Sequence, residues 1–135
     1  MSLMDWTPEL DVGVAAMNHE HRVLLDLMNK LHDLAERGVT GPEAIAALEA
    51  LQKATVDHFA HEEAYMDKMG YPGAARHKVI HASLLERFGA EAEKVRAANG
   101  EVGRSFFDFL TYWLSAHIKG IDKKYGAHVA GQNAA

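Results

Sequence analysis

The sequence of 135 residues contains no cysteine. This absence excludes disulfide bonds, thiolate zinc sites and cysteine-ligated iron–sulfur clusters, and it is consistent with a reducing compartment. Any metal site in this protein must therefore be built from histidine, aspartate and glutamate side chains.

Positive charge is also scarce, since 14 Lys and Arg residues stand against 19 Asp and Glu residues and give a formal net charge of −5. That balance has the wrong sign for a protein that binds a phosphate backbone. No apolar run approaches the roughly 18 residues of a membrane span, and the N-terminus lacks the basic and then apolar layout of a signal peptide. We therefore expect a cytoplasmic protein that neither binds nucleic acid nor inserts into a membrane.

Glycine and proline occur in a few tight groups, and the segments between those groups have helical periodicity. The length is that of one domain over residues 1–135, with an N-terminal arm over 1–13 anchored by Trp6 and a frayed tail over 127–135. Short connections between long amphipathic helices predict an all-α fold, an antiparallel up-down-up-down four-helix bundle. The helices are predicted from between Gly13 and Asn18 to Arg37, from Pro42 to Gly70, from Pro72 to Asn99 and Gly100, and from there towards Gly126.

Five histidines and two carboxylates recur at helical spacings near one end of this predicted bundle. The pairs His58/Glu62 and His77/His81 are four residues apart, so both members of each pair lie on one helix face. The predicted topology brings four helix ends together at one end of the bundle. They are the start of the first helix, the end of the second, the start of the third and the end of the fourth. The pattern therefore predicts a two-metal site whose ligands are His21, His58, Glu62, His77, His81, His117 and Asp122.

The spacing between His117 and Asp122 does not fit a regular α-helix. The two residues are five positions apart, which corresponds to about 140° around an ideal helix. We expect the Asp122 carboxylate to bridge the two metals from the side, with Gly120 permitting a local distortion of the helix. A helix that stopped at Gly120 would leave His117 outside the ligand layer, so we expect the helix to continue towards Gly126.

Each histidine, considered alone, also has a simpler explanation. A single histidine on an apolar stripe is more often a hydrogen-bonded core residue than a metal ligand. Together, however, these polar side chains in one buried layer would cost roughly 1 to 3 kcal/mol for each unsatisfied group. A pair of metal ions removes that cost, so the joint pattern favours metal binding. The remaining histidines lie on other faces, in another layer or in the tail, and are not expected to be ligands: His19, His32, His61 and His128.

Four segments carry a family resemblance that extends over nearly the whole chain: NHEHRVLLDLMNKL, HFAHEEAYM, HKVIH and WLSAHIKGID. They resemble the ligand segments of the hemerythrins, and in particular those of the single-domain bacterial hemerythrins. Asn18 departs from the pattern, because an acid often stands at that position in the family. The departure bears only on a capping or supporting role.

The resemblance implies two non-haem iron ions that are bridged by an oxo or hydroxo group and by two carboxylates. One coordination position then stays open on the iron with fewer histidines, and O2 would bind there. The implied assignment is one iron on His77, His81 and His117, the other on His21 and His58, and bridges from Glu62 and Asp122.

The expected function is reversible O2 binding for carriage, storage or delivery to an oxygen-using enzyme, because a dry apolar pocket disfavours the loss of oxidised iron. Three alternatives stay open: a sensing module that works with a partner, a di-iron enzyme that handles peroxide or nitric oxide, and a bundle that binds zinc or another cation. Since no exposed apolar stripe stands out, we expect a monomer. The pocket is expected to be lined by Leu24, Leu25, Met28, Trp113 and Leu114.

Overall fold

The computed structural model describes residues 3–134, and no strand occurs among them. Over the same residues, no helix has the length and apolar character needed to cross a bilayer. The predicted all-α four-helix bundle is confirmed, with the last two helices and the turn between them forming one continuous fourth helix. The elements are a 3-10 turn at Pro8–Leu10, α1 at Ala15–Glu36, α2 at Gly41–Lys68, α3 at Ala74–Ala97, α4 at Arg104–His117, a π-helical turn at Ile118–Asp122 and α5 at Lys123–Ala134.

Contacts at both ends of α2 and α3 show that these two helices run in opposite directions. Near the end of α3, Arg96 donates a hydrogen bond of 2.9 Å to the side chain of Gln52 in the first half of α2. At the other end, His81 in the first half of α3 is hydrogen-bonded over 2.9 Å to Glu63 near the end of α2. The end of α2 and the start of α3 therefore lie together, which is what the predicted cluster requires.

Two glycines in the left-handed backbone region lie at the turns that flank α3. Gly70 has a φ of +64°, and beyond it the Tyr71 N–H bonds back to the Met66 carbonyl over 3.0 Å, which closes the end of α2. Gly100 has a φ of +89°, and a Cβ placed there would lie 2.7 Å from the backbone nitrogen of Gly41. The end of α3 can therefore pack against the start of α2 only with glycine at this position.

Aromatic rings connect the middle of the core to the polar layer. The ring of Phe88 lies edge-on to Phe106 with centroids 5.5 Å apart, and Trp113 lies edge-on to Phe59 at 5.9 Å. Phe59 in turn stacks flat on the imidazole of His81 at 3.8 Å. Such contacts between close-packed rings restrict the His81 side chain to one orientation.

The N-terminal arm packs on the bundle through a 3-10 turn rather than as a fully extended segment. Leu10 and Val12 are buried at 1% and 4% exposure. The guanidinium of Arg22 lies 4.5 Å from the centre of the Trp6 ring, consistent with an anchoring role for Trp6. The Asn18 side chain accepts a hydrogen bond of 3.0 Å from the Val12 N–H. The residue that departs from the family pattern therefore holds the arm against α1.

The predicted frayed tail is wrong over residues 127–134, which continue α5, while Ala135 lies outside the described residues. Gly126 does not end the helix. It lets the arm pass, because a Cβ at Gly126 would overlap the carbonyl oxygen of Val12. Beyond it, Gln132 donates a hydrogen bond of 3.0 Å to the Met69 carbonyl. Because Met69 is the C-cap residue of α2, this bond satisfies a carbonyl at the helix terminus and ties α5 to the bundle.

Candidate metal centre

The seven residues predicted as ligands all lie in one buried layer, and none is more than 6% exposed. Each of the four bundle helices contributes at least one of them, as the antiparallel topology predicts. α1 supplies His21, α2 supplies His58 and Glu62, α3 supplies His77 and His81, and the fourth helix supplies His117 and Asp122.

Their donor atoms form two overlapping groups, within each of which all atoms lie within 4.8 Å of one another. One group contains three histidines and the other contains two, and the same two carboxylates belong to both. The larger group is Glu62, His77, His81, His117 and Asp122, and the smaller is His21, His58, Glu62 and Asp122.

Glu62 directs its two oxygens at different groups. Its Oε1 lies 2.9 Å from Nε2 of His81 and 3.1 Å from Nε2 of His77. Its Oε2 lies 3.3 Å from Nε2 of His58 and 3.6 Å from Nε2 of His21. The carboxylate therefore spans the gap between the two groups of histidines.

Asp122 divides its oxygens in the same way. Its Oδ1 lies 2.9 Å from Nε2 of His117 and 3.0 Å from Nε2 of His77. Its Oδ2 lies 3.1 Å from Nε2 of His21. Two carboxylates that each face both groups are arranged as bridging ligands of a metal pair would be.

His77 and His117 are hydrogen-bonded to each other through their Nε2 atoms over 3.2 Å, but several other donor atoms have no hydrogen-bond partner. Nε2 of His81 and Oε1 of Glu62 are only 2.9 Å apart, yet neither has a hydrogen-bond partner of suitable geometry. Nε2 of His21 and Oδ1 of Asp122 are likewise buried and without such a partner among the described residues. Unsatisfied buried polar atoms cost about 1 to 3 kcal/mol each, whereas metal coordination would satisfy them. Imidazole and carboxylate donors suit iron and zinc, so these residues fit a pair of such ions.

The π-helical turn explains how His117 and Asp122 come to face the same centre. The Lys123 N–H bonds to the carbonyl of Ile118 five residues earlier, in place of the usual four. This wider turn brings residues five apart onto one face, which an ideal α-helix would not do. Gly120 lies at its centre, so the distortion occurs where the sequence predicts it.

Comparison with known proteins places the chain in a family. The model of the hemerythrin HHE cation-binding domain matches residues 12–129. The chain belongs to the hemerythrin family. It is 37% identical over 127 residues to the bacteriohemerythrin of Methylococcus capsulatus, covering 93% of this chain and 96% of the relative. It is 32% identical over 120 residues to the myohemerythrin of Riftia pachyptila, covering 89% and 88% of the two chains.

Solved structures agree with this assignment. A wild-type hemerythrin crystal structure superposes with a TM-score of 0.83 at 36% identity, and the match covers 93% of this chain and 97% of that one. A single-residue variant of a hemerythrin matches with a TM-score of 0.84 at 36% identity, over 94% of this chain and 97% of that one.

Two outer carboxylates of this hemerythrin-family chain orient the ligand histidines. The Nδ1–H of His58 donates to Oε1 of Glu20 at 2.6 Å, and the Nδ1–H of His81 donates to Oε2 of Glu63 at 2.9 Å. These hydrogen bonds aim the Nε2 atoms inward, and carboxylates in this role typically strengthen metal binding. The sequence reasoning missed both, although Glu20 and Glu63 each adjoin a predicted ligand along the chain.

Tyr125 is a third supporting residue that the sequence reasoning missed. It is fully buried, and its hydroxyl donates to Oε2 of Glu62 at 2.9 Å. Burial and then the charges of Glu62 and Asp122 raise the pKa of Tyr125 far above its usual value, so it stays a neutral donor. Its position three residues after Asp122, on the same face of the fourth helix, was the available signal.

The remaining histidines lie outside both groups, as expected. His61 is 60% exposed and bonds through Nδ1 to Glu20 over 2.8 Å. His32 lies edge-on to Phe107 with ring centroids 4.9 Å apart, well away from the ligand layer. His19 is exposed, and His128 bonds to the Met69 carbonyl.

A narrow, largely apolar space adjoins His21, His58 and His117, and three of the five residues predicted to line an O2 pocket lie beside it. Leu24, Trp113 and Leu114 do line it, but Leu25 and Met28 do not. Leu25 is rotated about 100° from Leu24, and Met28 lies roughly 10 Å along the helix from His21. Both are core residues instead. Phe59 and Ile118, which were not predicted, complete the apolar wall.

Without metal, the cluster is held together by charge. Burial alone would lower the pKa of His58, but hydrogen bonds to Glu20 and Glu62 outweigh it and raise the pKa to about 9. The pKa of His77 is also raised to about 9, against the effect of burial, by Asp122 and Glu62. Burial would raise the pKa values of Glu62 and Asp122, yet the facing histidines hold both below their usual range.

These values predict proton release on metal binding. At pH 7 the metal-free chain keeps His58 and His77 protonated, and a metal can bind their Nε2 atoms only after the protons leave. Loading should therefore release the protons of His58 and His77, with a further contribution from His21, whose pKa is also raised, against the effect of burial, by Asp122 and Glu62. Apparent affinity should rise from pH 7 to about 9 and then level off. Anaerobic titration with Fe(II) in weakly buffered indicator dye measures the release, and affinity that does not change over this range would contradict the prediction.

The same histidines set the pH dependence of folding in the metal-free chain. Protonated His58 and His77 stabilise the fold fully below pH 6.5, the pKa of histidine in the unfolded chain. This stabilisation is lost as the pH rises through about 9, their pKa in the folded chain. The metal-loaded chain should not lose stability over this pH range, because the metal ions replace the protons on these histidines.

Proposed function

We propose that this hemerythrin-family chain binds O2 reversibly at a pair of non-haem iron ions. His77, His81 and His117 would hold one iron, and His21 and His58 would hold the other. Glu62 and Asp122 would bridge the two irons together with an oxo or hydroxo group. The observation that carries the proposal is that each of these carboxylates turns one oxygen to the larger group and the other to the smaller group.

The donor set would leave a place for O2 on one side only. If both irons were six-coordinate, these side chains and one bridging oxygen would fill every position except one, on the iron held by two histidines. The narrow apolar space reaches that side, because both of its histidines, His21 and His58, line it, although His117 of the larger group lines it as well. When bound, reduced iron supplies the electrons for O2 binding.

The surroundings of the open position favour binding and release over catalysis. Apart from the proposed ligands, the described residues that line the space are Leu24, Phe59, Trp113, Leu114 and Ile118, and their one polar side-chain atom is the Trp113 Nε1, which is buried and has no hydrogen-bond partner among the described residues. These side chains would exclude water and include no carboxylic acid or amine, which would slow the side reactions that oxidise the iron. Tyr125 is the nearby hydroxyl, but its proton is directed to Oε2 of Glu62. The proposed role is therefore carriage, storage or delivery of oxygen.

All seven donors come from a single chain, which supports a working centre in the monomer. Neither an oxygen-using enzyme nor a sensor output module is needed to complete the centre.

Repeated cycles of oxygen and argon test the proposed function. Purified chain reconstituted with iron should contain two irons per chain. Its reduced form should develop a visible absorption band under O2 that disappears under argon, and it should do so over many cycles. A colourless protein that retains zinc in preference to iron would exclude the oxygen function. Irreversible oxidation accompanied by consumption of peroxide or nitric oxide would assign the centre to an enzyme instead.

A further inference from the structure

A cleft of about 500 Å³ lies between α3 and the fourth helix, beside the metal centre. We call it the α3–α4 cleft. Small-molecule sites typically have roughly 300 to 1,000 Å³, mostly apolar walls and a few polar groups. Here the polar groups are Ser83, Arg87 and His117, and the larger apolar side chains are Ile80, Leu84, Phe109, Tyr112, Trp113 and Ile121. The size and the lining are therefore those of a ligand site.

Of the five ligand histidines, His117 is the one that lines this cleft. It is 6% exposed, against 1% to 3% for the other four. Its Nε2 faces Asp122 and His77. Its Nδ1 has no hydrogen-bond partner among the described residues, and unlike the Nδ1 atoms of His21 and His77 it is not completely buried. This nitrogen is therefore open to a ligand in the cleft.

Arg87 supplies positive charge at the other end of the cleft. Its guanidinium lies 4.9 Å from the centre of the Phe109 ring, a contact that holds it against the apolar wall. It also lies 3.6 Å from Glu91, which Lys94 approaches to 3.5 Å. No acidic side chain lines the cleft within residues 3–134. An anionic group of a ligand would therefore be attracted to Arg87 without meeting a carboxylate in the walls.

The separation of these two polar ends sets the length of the ligand. Phe109, which Arg87 contacts, and His117 are eight residues apart on α4, or about 12 Å along the helix. One aromatic ring with a polar group at each end, and a hydrogen bond beyond each group, spans such a distance. The walls between the ends suit a flat ring, because the rings of Trp113 and of the 75% exposed Tyr112 both line the cleft.

A phenolic hydroxyl matches the Nδ1 of His117 in either form of the imidazole. With metal on Nε2, Nδ1 carries the proton and the hydroxyl oxygen accepts its hydrogen bond. In the metal-free chain Nε2 can carry the proton instead, and the hydroxyl then donates to Nδ1. A carboxylate or an ammonium group cannot do both, so a hydroxyl at this end makes binding independent of the metal.

We propose that the α3–α4 cleft binds an aromatic acid with a hydroxyl group para to its carboxylate. The carboxylate pairs with Arg87, the ring packs against Leu84 and Trp113, and the hydroxyl is hydrogen-bonded to Nδ1 of His117. Hydrogen bonds to the outer nitrogen of a metal-bound histidine tune the metal, so the bound acid acts on the centre from outside the coordination sphere. That action rests on the proposed function, whereas binding itself does not.

The test is a calorimetric titration of iron-loaded chain with 4-hydroxybenzoate and with two matched probes. Benzoate lacks the hydroxyl, and 4-hydroxybenzyl alcohol lacks the negative charge. We expect saturable binding of 4-hydroxybenzoate, binding of benzoate that is weaker by at least about threefold, and binding of the alcohol that is weaker by at least about tenfold. Equal affinity for 4-hydroxybenzoate and either probe would overturn the proposal, because one polar end would then make no contact.

A steric variant locates the binding in the cleft. Ala116 is exposed and lines the cleft next to His117, so Ala116→Leu fills the space of the ring without removing a metal ligand. This variant should bind 4-hydroxybenzoate at least about tenfold more weakly. Ala90→Leu is the control, because Ala90 is exposed on α3 and lies outside the cleft. It should bind as the parent does.

A charge variant tests the other end. Arg87→Gln should weaken binding of 4-hydroxybenzoate at least about tenfold but leave binding of the uncharged alcohol unchanged, because only the charge-assisted contact is lost. Arg104→Gln is the matched control. Arg104 pairs with Asp108 four residues later at 3.8 Å, as Arg87 does with Glu91, but it lies outside the cleft.

Three further results would overturn the proposal: no saturable binding, equal weakening in a variant and its control, or a phenolate-to-iron absorption band, which would place the acid on the metal itself. The same titrations on metal-free chain separate this test from the proposed function. We expect the same ranking of probes and variants there, so a chain that retains no iron still decides whether the cleft binds the acid.

Discussion

Replacing Glu62 by glutamine is expected to lower metal affinity by more than about 100-fold, beyond the 10- to 100-fold typical of losing an outer partner. Glu62 is fully buried, and its oxygens face both groups of histidines. Glutamine keeps the shape but has only one acceptor oxygen and presents an N–H2 group to the other metal. Both halves of the centre should therefore lose metal together, as measured by metal analysis of purified protein and by chelator competition.

Glu63→Gln is the matched control for this prediction. It makes the same chemical change at the next residue, but Glu63 bonds to the outer Nδ1 of His81, over 2.9 Å, and not to a donor atom that faces the centre. This variant should keep full metal content and lose about 10- to 100-fold in affinity. A Glu62→Gln chain that retains both metals, or a Glu63→Gln chain that loses as much as Glu62→Gln, would show that the division of the Glu62 oxygens is not what holds the metals.

The metal-free Glu62→Gln chain separates loss of ligation from loss of folding. Removing one partner from a buried charged cluster typically costs about 3 to 5 kcal/mol, so a shift in urea unfolding is expected. Circular dichroism should still report a helical bundle, because the apolar core does not include this side chain. A folded but metal-poor variant is the expected outcome.

The ligand layer could be predicted from the sequence because its geometry depends on two simple relations. Residues four apart share a helix face, which places His58 with Glu62 and His77 with His81. Short connections alternate the chain direction, which brings those pairs together with His21. Neither relation needs any detail of side-chain packing.

The supporting residues could not be predicted in the same way, because they depend on how the helices pack. Glu20 lies next to a ligand in sequence, but it bonds to His58, which is 38 residues away, and to His61, which no periodicity selects. Leu24 and Leu25 are neighbours in α1 and both are buried in the core, yet only Leu24 lines the space beside the ligands. Helical periodicity identifies a face, and only the packed helices show which partner that face meets.

The C-terminal helix was mispredicted for a related reason. Glycine near a helix end usually marks a left-handed cap, so Gly126 indicated a stop. Its φ is not in the left-handed region, and its small size instead accommodates the Val12 carbonyl. A glycine that ends a helix and a glycine that admits another backbone look the same in one sequence.

The π-helical turn leads to a prediction about chain length. Deleting Gly120 should leave the metal centre intact, whereas inserting one alanine directly after Gly120 should abolish metal binding. Deletion makes His117 and Asp122 four residues apart, the spacing that already works in α2 and α3. Gly120 is exposed, and a Cβ there would meet no atom of another element within 4 Å, so no other part of the described chain packs against this position.

Insertion has the opposite effect because the following residues turn by about 100°. Asp122 would leave the face shared with His117, and Tyr125 and Val129, which are 0% and 8% exposed, would rotate out of the core. Exposing two such side chains should lower the free energy of unfolding by about 3 kcal/mol or more. Metal content and thermal unfolding of the two variants measure both effects.

The contrast between deletion and insertion distinguishes two roles for the turn. If the π turn serves only to keep Asp122 on the ligand face, the α-helical deletion variant should bind metal nearly as the parent does. If deletion removes metal as fully as insertion does, then the wider turn itself sets the distance between Asp122 and the smaller group. In that case the 3.1 Å approach of Oδ2 to His21 would depend on the bulge and not on helix face alone.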